Sequence, residues 1–170
     1  MISKMKTSDR YFGYGSNLDW EDWEKFCKEG GKDPNSIEVL DGIYFLHDYE
    51  LAFDYNSVRR GGGALDVVKK PGGIVPGKLF KVTEEGLNAL DAKEGVKYGK
   101  YEQKTIQVLD EEGKSHTVIT YVVTQENKKT EHQKPRKEYI DTIKRGYDKY
   151  GITKKCPWAV EQLNSFKTQD

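Results

Sequence analysis

The sequence is poor in the residues that cross-link proteins or cross membranes. It has two cysteines in 170 residues, Cys27 and Cys156, with no CxxC pair and no His/Cys cluster, so no metal site is predicted. We expect two reduced thiols in a cytoplasmic protein. No apolar run reaches about eighteen residues, the length that a membrane-spanning helix needs. Residues 1–10 are polar and lack the apolar centre of a secretion signal.

The chain also has no excess of either charge. Lys and Arg number 28, Asp and Glu number 28, and the sequence pI is about 6.8. This balance gives no electrostatic reason to expect nucleic acid or an anionic membrane as a partner. The length predicts a single domain, residues 1–170, that is large enough to bury a core. The 11 tyrosines combine an apolar ring with a polar tip, which suits the walls of a polar pocket.

The hydrophobic pattern predicts an α+β domain with about six strands and three or four helices. The predicted strands lie within 11–14, 39–45, 49–55, 64–68, 74–82, 101–109 and 117–124, and the predicted helices are 19–29, 84–94, 135–150 and a short one from Pro157. Pro71-Gly72-Gly73 is read as a turn, and residues 125–136 as a polar linker or mobile loop. Because neighbouring strands pair locally, an antiparallel sheet or a small barrel is favoured over a doubly wound sheet.

The segment Tyr11-Phe12-Gly13-Tyr14-Gly15-Ser16-Asn17-Leu18 joins an aromatic strand to a helix through small residues. Such a turn can direct backbone N–H groups outward at the positive end of the following helix, so it is a candidate anion cradle. The alternative is a plain connector in which Asn17 caps the helix.

A carboxylate on an apolar helix face is the second chemical signal. Leu87, Leu90 and Glu94 are spaced i, i+3, i+7 and share one face of the predicted helix. Burial and the negative helix C-terminus should both raise the pKa of Glu94, as a general base working near neutral pH requires. The alternative is a boundary carboxylate at a fraying helix end.

Other polar or aromatic clusters carry weaker signals. Arg59, Arg60 and the glycines after them could fold over a substrate, but a solvated loop is favoured. Three further groups are read as structural or solvated: surface histidines at His47, His116 and His132, a core stripe of Trp20, Trp23 and Cys27, and a charged face at residues 128–137.

These motifs together resemble the gamma-glutamylcyclotransferase-like family. The resemblance rests on Tyr14-Gly15-Ser16-Asn17-Leu18 after an aromatic strand and on Leu90-Asp91-Ala92-Lys93-Glu94-Gly95-Val96 followed by Tyr101. Weaker support comes from Gly62-Gly63-Ala64, Lys78-Leu79-Phe80-Lys81-Val82 and the segment 134–139. Order and spacing agree over residues 11–155, and the implied fold is a small mixed-strand β-barrel surrounded by helices.

The resemblance implies cyclisation of a γ-glutamyl group to 5-oxoproline with release of the attached amine, without a metal or cofactor. It implies that Glu94 is the acid/base residue. It also implies substrate binding by Tyr11, Phe12, Gly13, Tyr14, Gly15, Ser16, Asn17, Tyr101, Tyr121 and Tyr139. The implied partner is a small γ-glutamyl molecule, and the implied assembly is a monomer or homodimer. Gly13 departs from the pattern, since relatives often carry a small residue such as Ala there.

Two further functions remain open at the level of sequence. A tailoring enzyme could remove a γ-glutamyl group from a larger product, and the loops at 61–63 and 125–136 leave room for one. A binding module could keep the cradle without turnover, although such a module gains nothing from a buried carboxylate beside an anionic ligand. A domain without any pocket is the weakest reading.

Overall fold

A computed structural model describes residues 9–169, so most of the polar stretch for which no secretion signal is predicted lies outside the described residues. The strands are β1 Arg10–Gly13, β2 Ile37–Val39, β3 Tyr44–Ser57, β4 Gly62–Val82, β5 Tyr101–Leu109 and β6 Ser115–Val123. The α-helices are α1 Trp20–Glu29, α2 Glu84–Lys93, α3 Lys137–Lys149, α4 Ile152–Lys155 and α5 Pro157–Ser165. None of the helices in this range combines the length and apolar character needed to cross a membrane.

Five strands close into a barrel in the order β1-β6-β5-β3-β4, and β4 pairs back with β1. The β1–β6 pairing is parallel, with Tyr11 opposite Ile119, whereas β1 runs antiparallel to β4. The remaining pairings are antiparallel, and β2 adds to β4 as an extra strand. This arrangement confirms the expected α+β fold with a mixed-strand barrel surrounded by helices.

The longest strands, β3 and β4, form one antiparallel hairpin whose register shifts at two points. Alternation along β3 is as predicted, with Leu51, Phe53 and Tyr55 buried. The prediction of separate strands at 64–68 and 74–82 is wrong, because β4 is continuous through a bulge. Residues 70–73 bulge opposite Asp48, whose carboxylate Oδ1 accepts from the Gly72 N–H at 2.9 Å.

Two other predicted boundaries are also wrong, one because of a local turn and one because of tertiary contacts. The predicted strand 39–45 breaks between β2 and β3, where Gly42 has a φ of +90° that most residues avoid. Helix α3 begins two residues after Pro135. The segment before it is extended, since the carbonyl of Lys134 accepts from the Gly63 N–H at 3.0 Å and that of Pro135 from the Gln169 N–H at 3.0 Å.

Helices α1, α2 and α3 position the two segments between which the candidate site lies, the turn after β1 and the end of α2. The Thr83 side chain caps α2 by accepting from the Gly86 N–H at 3.1 Å, as the sequence predicts. Helix α3 packs directly on the 3-10 turn Ser16–Leu18, and a Cβ added at Gly146 would lie 2.4 Å from the Leu18 Cβ. In α1, Trp23 and Cys27 are fully buried, while Trp20 is partly exposed. These contacts fix the turn after β1 against the helical layer.

Candidate active site

A small cavity of about 30 Å³ lies between the turn after β1 and the end of α2. Its walls come from four strands, the turn, α3 and the residue that ends α2. Its lining residues are Tyr11, Tyr14, Gly15, Ser16, Asn17, Leu65, Glu94, Tyr101, Tyr121 and Tyr139. Nine of the eleven residues predicted from the sequence are therefore brought together, from parts of the chain up to 128 residues apart.

The two remaining predicted residues, Phe12 and Gly13, lie beside the cavity rather than on it. Phe12 is fully buried in the core, and its carbonyl accepts from the Thr120 hydroxyl at 2.7 Å. Successive side chains on a strand point to opposite faces, so Phe12 faces away when Tyr11 faces the cavity. At Gly13 an added Cβ would meet the Phe80 ring at 3.0 Å, so this position packs against another core residue.

Glu94 occupies the C-cap of α2, where the sequence positions it on the inner face. Gly95 follows with a φ of +64° and turns the chain away, so the carboxylate stays at the cavity. Its Oε1 accepts from the Asn17 Nδ2 at 3.0 Å. Burial raises the pKa of Glu94, while the Lys93 charge and the Asn17 hydrogen bond oppose the rise.

The tyrosine hydroxyls around Glu94 are used mainly to bind the barrel backbone. Tyr101 donates to the Leu65 carbonyl at 2.8 Å, and the Leu65 N–H donates to the Tyr139 hydroxyl at 3.1 Å. The Tyr14 hydroxyl donates to the Tyr121 carbonyl at 2.6 Å. Burial raises the pKa of these three hydroxyls and of the Tyr121 hydroxyl, which donates to the Asp91 Oδ1 at 2.6 Å, so all four stay protonated near neutral pH. They form a fixed, neutral polar wall.

The turn itself offers unused donors. Its first hydrogen bond runs from the Leu18 N–H to the Gly15 carbonyl at 3.0 Å. The N–H groups of Gly15, Ser16 and Asn17 precede that bond, and none of them has an acceptor within residues 9–169. Gly15, Ser16 and Asn17 line the same cavity as Glu94, where an anion cradle would need their N–H groups.

An ion cluster behind the turn was not predicted from the sequence. Asp22 of α1 receives two hydrogen bonds from Arg60, at 2.9 and 2.8 Å, and its Oδ2 lies 2.8 Å from the Lys93 Nζ. Arg60 also donates to the Ser16 hydroxyl at 3.0 Å and lies over the Tyr139 ring, 4.9 Å from its centroid. The favoured reading of Arg60 as part of a solvated loop is therefore wrong.

No local signal in the sequence identifies this cluster. Asp22 sits in the first turn of a helix, where acidic residues are common, and Lys93 is in the last turn, where basic residues are common. Each therefore resembles a solvated helix charge until the fold brings the two helices together. Only the motif around Glu94 includes Lys93, without indicating its contacts.

A wider cleft of about 170 Å³ adjoins the inner cavity. The two spaces share Ser16, Glu94, Tyr101 and Tyr139, so Glu94 faces both. A larger space of about 430 Å³ lies between β3, residues 129–132 and the end of α5, but none of its lining residues belongs to this site. The smaller cavity is the candidate site, because the Glu94 carboxylate and the turn residues whose N–H groups lack acceptors both line it.

Histidines and metal ligands do not contribute to the cavity. His47 and His132 are exposed, as predicted, whereas His116 is partly buried and lies 2.9 Å from the Asp110 carboxylate. Residues 9–169 contain no group of three His, Cys, Asp or Glu side chains that could hold a metal ion. Glu94 is the one carboxylate among the residues that line the cavity.

The fold and this cavity define a small closed-barrel protein with one partly buried carboxylate opposite an amide-lined turn. Residues 74–156 match the AIG2-like family. The human gamma-glutamylcyclotransferase is 31% identical over 118 residues, 67% of this chain and 58% of that protein. The mouse gamma-glutamylcyclotransferase is 30% identical over 146 residues, 84% of this chain and 71% of that protein.

A solved structure of a gamma-glutamyl cyclotransferase has the same fold. It superposes with a TM-score of 0.78 at 29% identity and covers 95% of this chain and 89% of that chain. The chain therefore belongs to the gamma-glutamylcyclotransferase family and is an enzyme of that type.

Proposed function

We propose that this protein cyclises a γ-glutamyl group to 5-oxoproline and releases the attached amine, with Glu94 as acid and base. The observation that supports this most directly is the position of Glu94. Its carboxylate has a raised pKa and shares one cavity with the unused amides of Gly15, Ser16 and Asn17. A base and an anion cradle that line one cavity suit an internal acyl transfer.

In the proposed reaction the α-amine of the substrate attacks its own γ-carbonyl carbon. A C–N bond forms to close the five-membered ring, and the C–N bond to the departing amine breaks. Glu94 takes a proton from the attacking nitrogen and returns it to the leaving nitrogen, so the enzyme ends unchanged. Because both reacting groups belong to one molecule, holding the chain bent supplies much of the acceleration.

The surrounding groups suit a bent, anionic substrate. The free amides of the turn can bind the α-carboxylate or the oxyanion that develops on the γ-carbonyl. The neutral tyrosine wall can orient the glutamyl chain without adding a competing charge. The adjoining cleft faces the same carboxylate and offers space for the departing amine. No cofactor takes part in this scheme, and we propose that it operates in the cytoplasm, in a monomer or homodimer.

The test compares wild type with Glu94→Gln for 5-oxoproline release. The substrate panel contains γ-glutamyl amino acids, γ-glutamyl amines and a bulky γ-glutamyl amide. Glutamine keeps the shape and the contact with Asn17 but cannot accept the proton. We therefore expect activity to fall by at least about a hundredfold. The bulky amide shows whether this is a tailoring enzyme.

The matched control is Glu85→Gln, an exposed carboxylate in the first turn of the same helix. It should retain wild-type turnover. Normal turnover by a folded Glu94→Gln protein would contradict the mechanism. Binding without turnover by wild type across the whole panel would favour the binding-module alternative.

A further inference from the structure

The side chain of Asn17 has its orientation set from two sides. Its Nδ2 donates to the Tyr11 hydroxyl at 2.9 Å and to the Glu94 Oε1 at 3.0 Å. Its Oδ1 accepts from the Lys93 Nζ. A carboxamide has one acceptor end and one donor end, so these contacts require that the oxygen face Lys93 and the nitrogen face Glu94.

Lys93 is unusually well held for a lysine. Its side chain is only 2% exposed, and its Nζ has three acceptors: Asp22 at 2.8 Å, Ser16 at 3.4 Å and Asn17. An ammonium has three N–H donors, so each proton has a partner. Asp22 in turn is held by two hydrogen bonds from Arg60, which fix the carboxylate that Lys93 contacts. The ammonium therefore has one fixed position.

We propose that Lys93 is a positioning residue that acts through Asn17: it holds the Asn17 carboxamide so that its amino group faces the Glu94 carboxylate. Lys93 itself does not donate to Glu94 in the structure; Asn17 lies between them. This inference rests on the proposed function for its catalytic meaning, but its geometry can be tested without substrate. The proposal gives Lys93, the residue next to Glu94, a role that the helix pattern alone does not indicate, since that pattern predicts a solvated charge.

Replacing Lys93 should change the orientation of the Asn17 carboxamide, because its oxygen and its amino group have different partners. Without an ammonium at Oδ1, the Asn17 carboxamide can turn over and present its oxygen to the carboxylate of Glu94. The charged form of Glu94 then loses a hydrogen bond and meets a partial negative charge, so its pKa should rise further. Removing the positive charge of Lys93 acts in the same direction, so the experiment must separate the two effects.

Other charged and titratable groups around Glu94 come from several elements, and replacing Lys93 by methionine leaves them in place. They are Asp22 of α1, Arg59 and Arg60 after β3, and the hydroxyls of Tyr11, Tyr14, Tyr101, Tyr121 and Tyr139. Asp22 keeps both hydrogen bonds from Arg60 when Lys93 is replaced. The Lys93→Met protein therefore does not leave this carboxylate unpaired.

The test measures the Glu94 pKa directly, by ¹³C NMR of the labelled carboxyl carbon in the free protein, in wild type and Lys93→Met. We expect the pKa to rise by about one unit, the scale expected when a close charged partner is lost. The same comparison is repeated in an Asn17→Ala background. If Lys93 acts through Asn17, its replacement should raise the pKa by roughly half as much or less there.

The control is Lys97→Met, which removes an exposed lysine a few residues along the chain and should leave the Glu94 pKa unchanged. An equal rise of the Glu94 pKa in the wild-type and Asn17→Ala backgrounds would overturn the proposal, because Lys93 would then act by charge alone. The absence of any rise on replacing Lys93 would overturn it as well. If Lys93→Met does not fold, Lys93→Gln takes its place with the same expectation.

Turnover supplies the second measurement. The acid limb of the kcat profile for 5-oxoproline release should move upward with the Glu94 pKa, and kcat should fall more than KM changes. Since the NMR measurement needs no substrate, absence of turnover in wild type would refute the proposed function without touching the placement of Asn17 by Lys93.

Discussion

At the scale of single residues, the barrel contains a second group of acids whose protonation matters for stability. Asp66 of β4 is fully buried, and its Oδ1 accepts from the N–H groups of Val67 and Val123 at 2.9 and 3.0 Å. Its Oδ2 and the Asp54 Oδ1 are buried without a hydrogen-bond partner in the described part of the chain. Lys128 lies 3.8 Å away, beyond hydrogen-bond reach. When Asp66 is protonated, its carboxyl group can donate a hydrogen bond to the neighbouring Asp54.

Burial and the neighbouring Asp54 raise the pKa of Asp66 to about 8. A carboxyl pKa raised by folding adds stability that is fully present below its unfolded value of roughly 4 and is lost as the pH rises through 8. We therefore expect Asp66→Asn, which stays neutral and can donate to Asp54, to gain Tm relative to wild type as the pH rises. The gain should reach at least about 2 °C at pH 9, by thermal unfolding at pH 5, 7 and 9.

The exposed Asp41 supplies a control for that measurement. Asp41→Asn should differ from wild type by an amount that does not change over this pH range. A Tm difference for Asp66→Asn that is the same at pH 5 and 9 would show that Asp66 is ionised throughout.

At the scale of elements, the site depends on how closely α3 approaches the turn after β1. Alanine at position 146 would favour the helix by about 1 kcal/mol over glycine. Its Cβ, however, would lie 2.4 Å from the Leu18 Cβ and 2.7 Å from the Leu18 carbonyl carbon. We expect Gly146→Ala to destabilise the fold by about 1–3 kcal/mol, measured by urea unfolding. It should also lower turnover, because Asn17 lies in the displaced turn.

The comparison variant is Lys137→Ala, at an exposed position in the first turn of the same helix. Its stability should stay within about 0.5 kcal/mol of wild type. Equal stability of wild type and Gly146→Ala would mean that the turn does not rest on α3.

Elements with local signals were predicted well, and elements shaped by distant contacts were not. Thr83, Glu94 and Gly95 set the limits of α2 within the helix itself, and the β5–β6 hairpin follows its own alternation. By contrast, Pro71-Gly72-Gly73 forms a bulge rather than a turn because β3 continues alongside it. Pro135 does not open α3 because the chain there is held extended by partners outside the segment.

The candidate site shows the same division. The turn and Glu94 were predicted because each has a local signal. Glu94 is a carboxylate on an apolar helix face, and the turn is a run of small residues between a strand and a helix. The contacts of Asp22, Arg60 and Lys93 were not, because they join α1, the β3–β4 connection and α2, which lie up to 71 residues apart in sequence. Side-chain pairing over such distances leaves no periodicity in the chain.

At the scale of the whole molecule, ligand binding should stabilise the fold. Glu94→Gln offers a protein that can hold the substrate without consuming it. At a γ-glutamyl amino acid concentration about 100 times Kd, the folded state gains about 2.7 kcal/mol. For a chain of this size, we expect the Tm to rise by about 5 °C or more. The released amino acid alone, at the same concentration, should give a smaller rise, and no rise with either compound would favour a domain without a pocket.

The parallel pairing of β1 with β6 limits how early the barrel can close while the chain is being synthesised on the ribosome. Tyr11 leaves the exit tunnel early, yet its neighbour Ile119 is made more than a hundred residues later. Until β6 is made, the aromatic strand β1 lacks this barrel partner and can be bound by chaperones or associate with other chains. The barrel around the candidate site therefore cannot close before β6 has been synthesised.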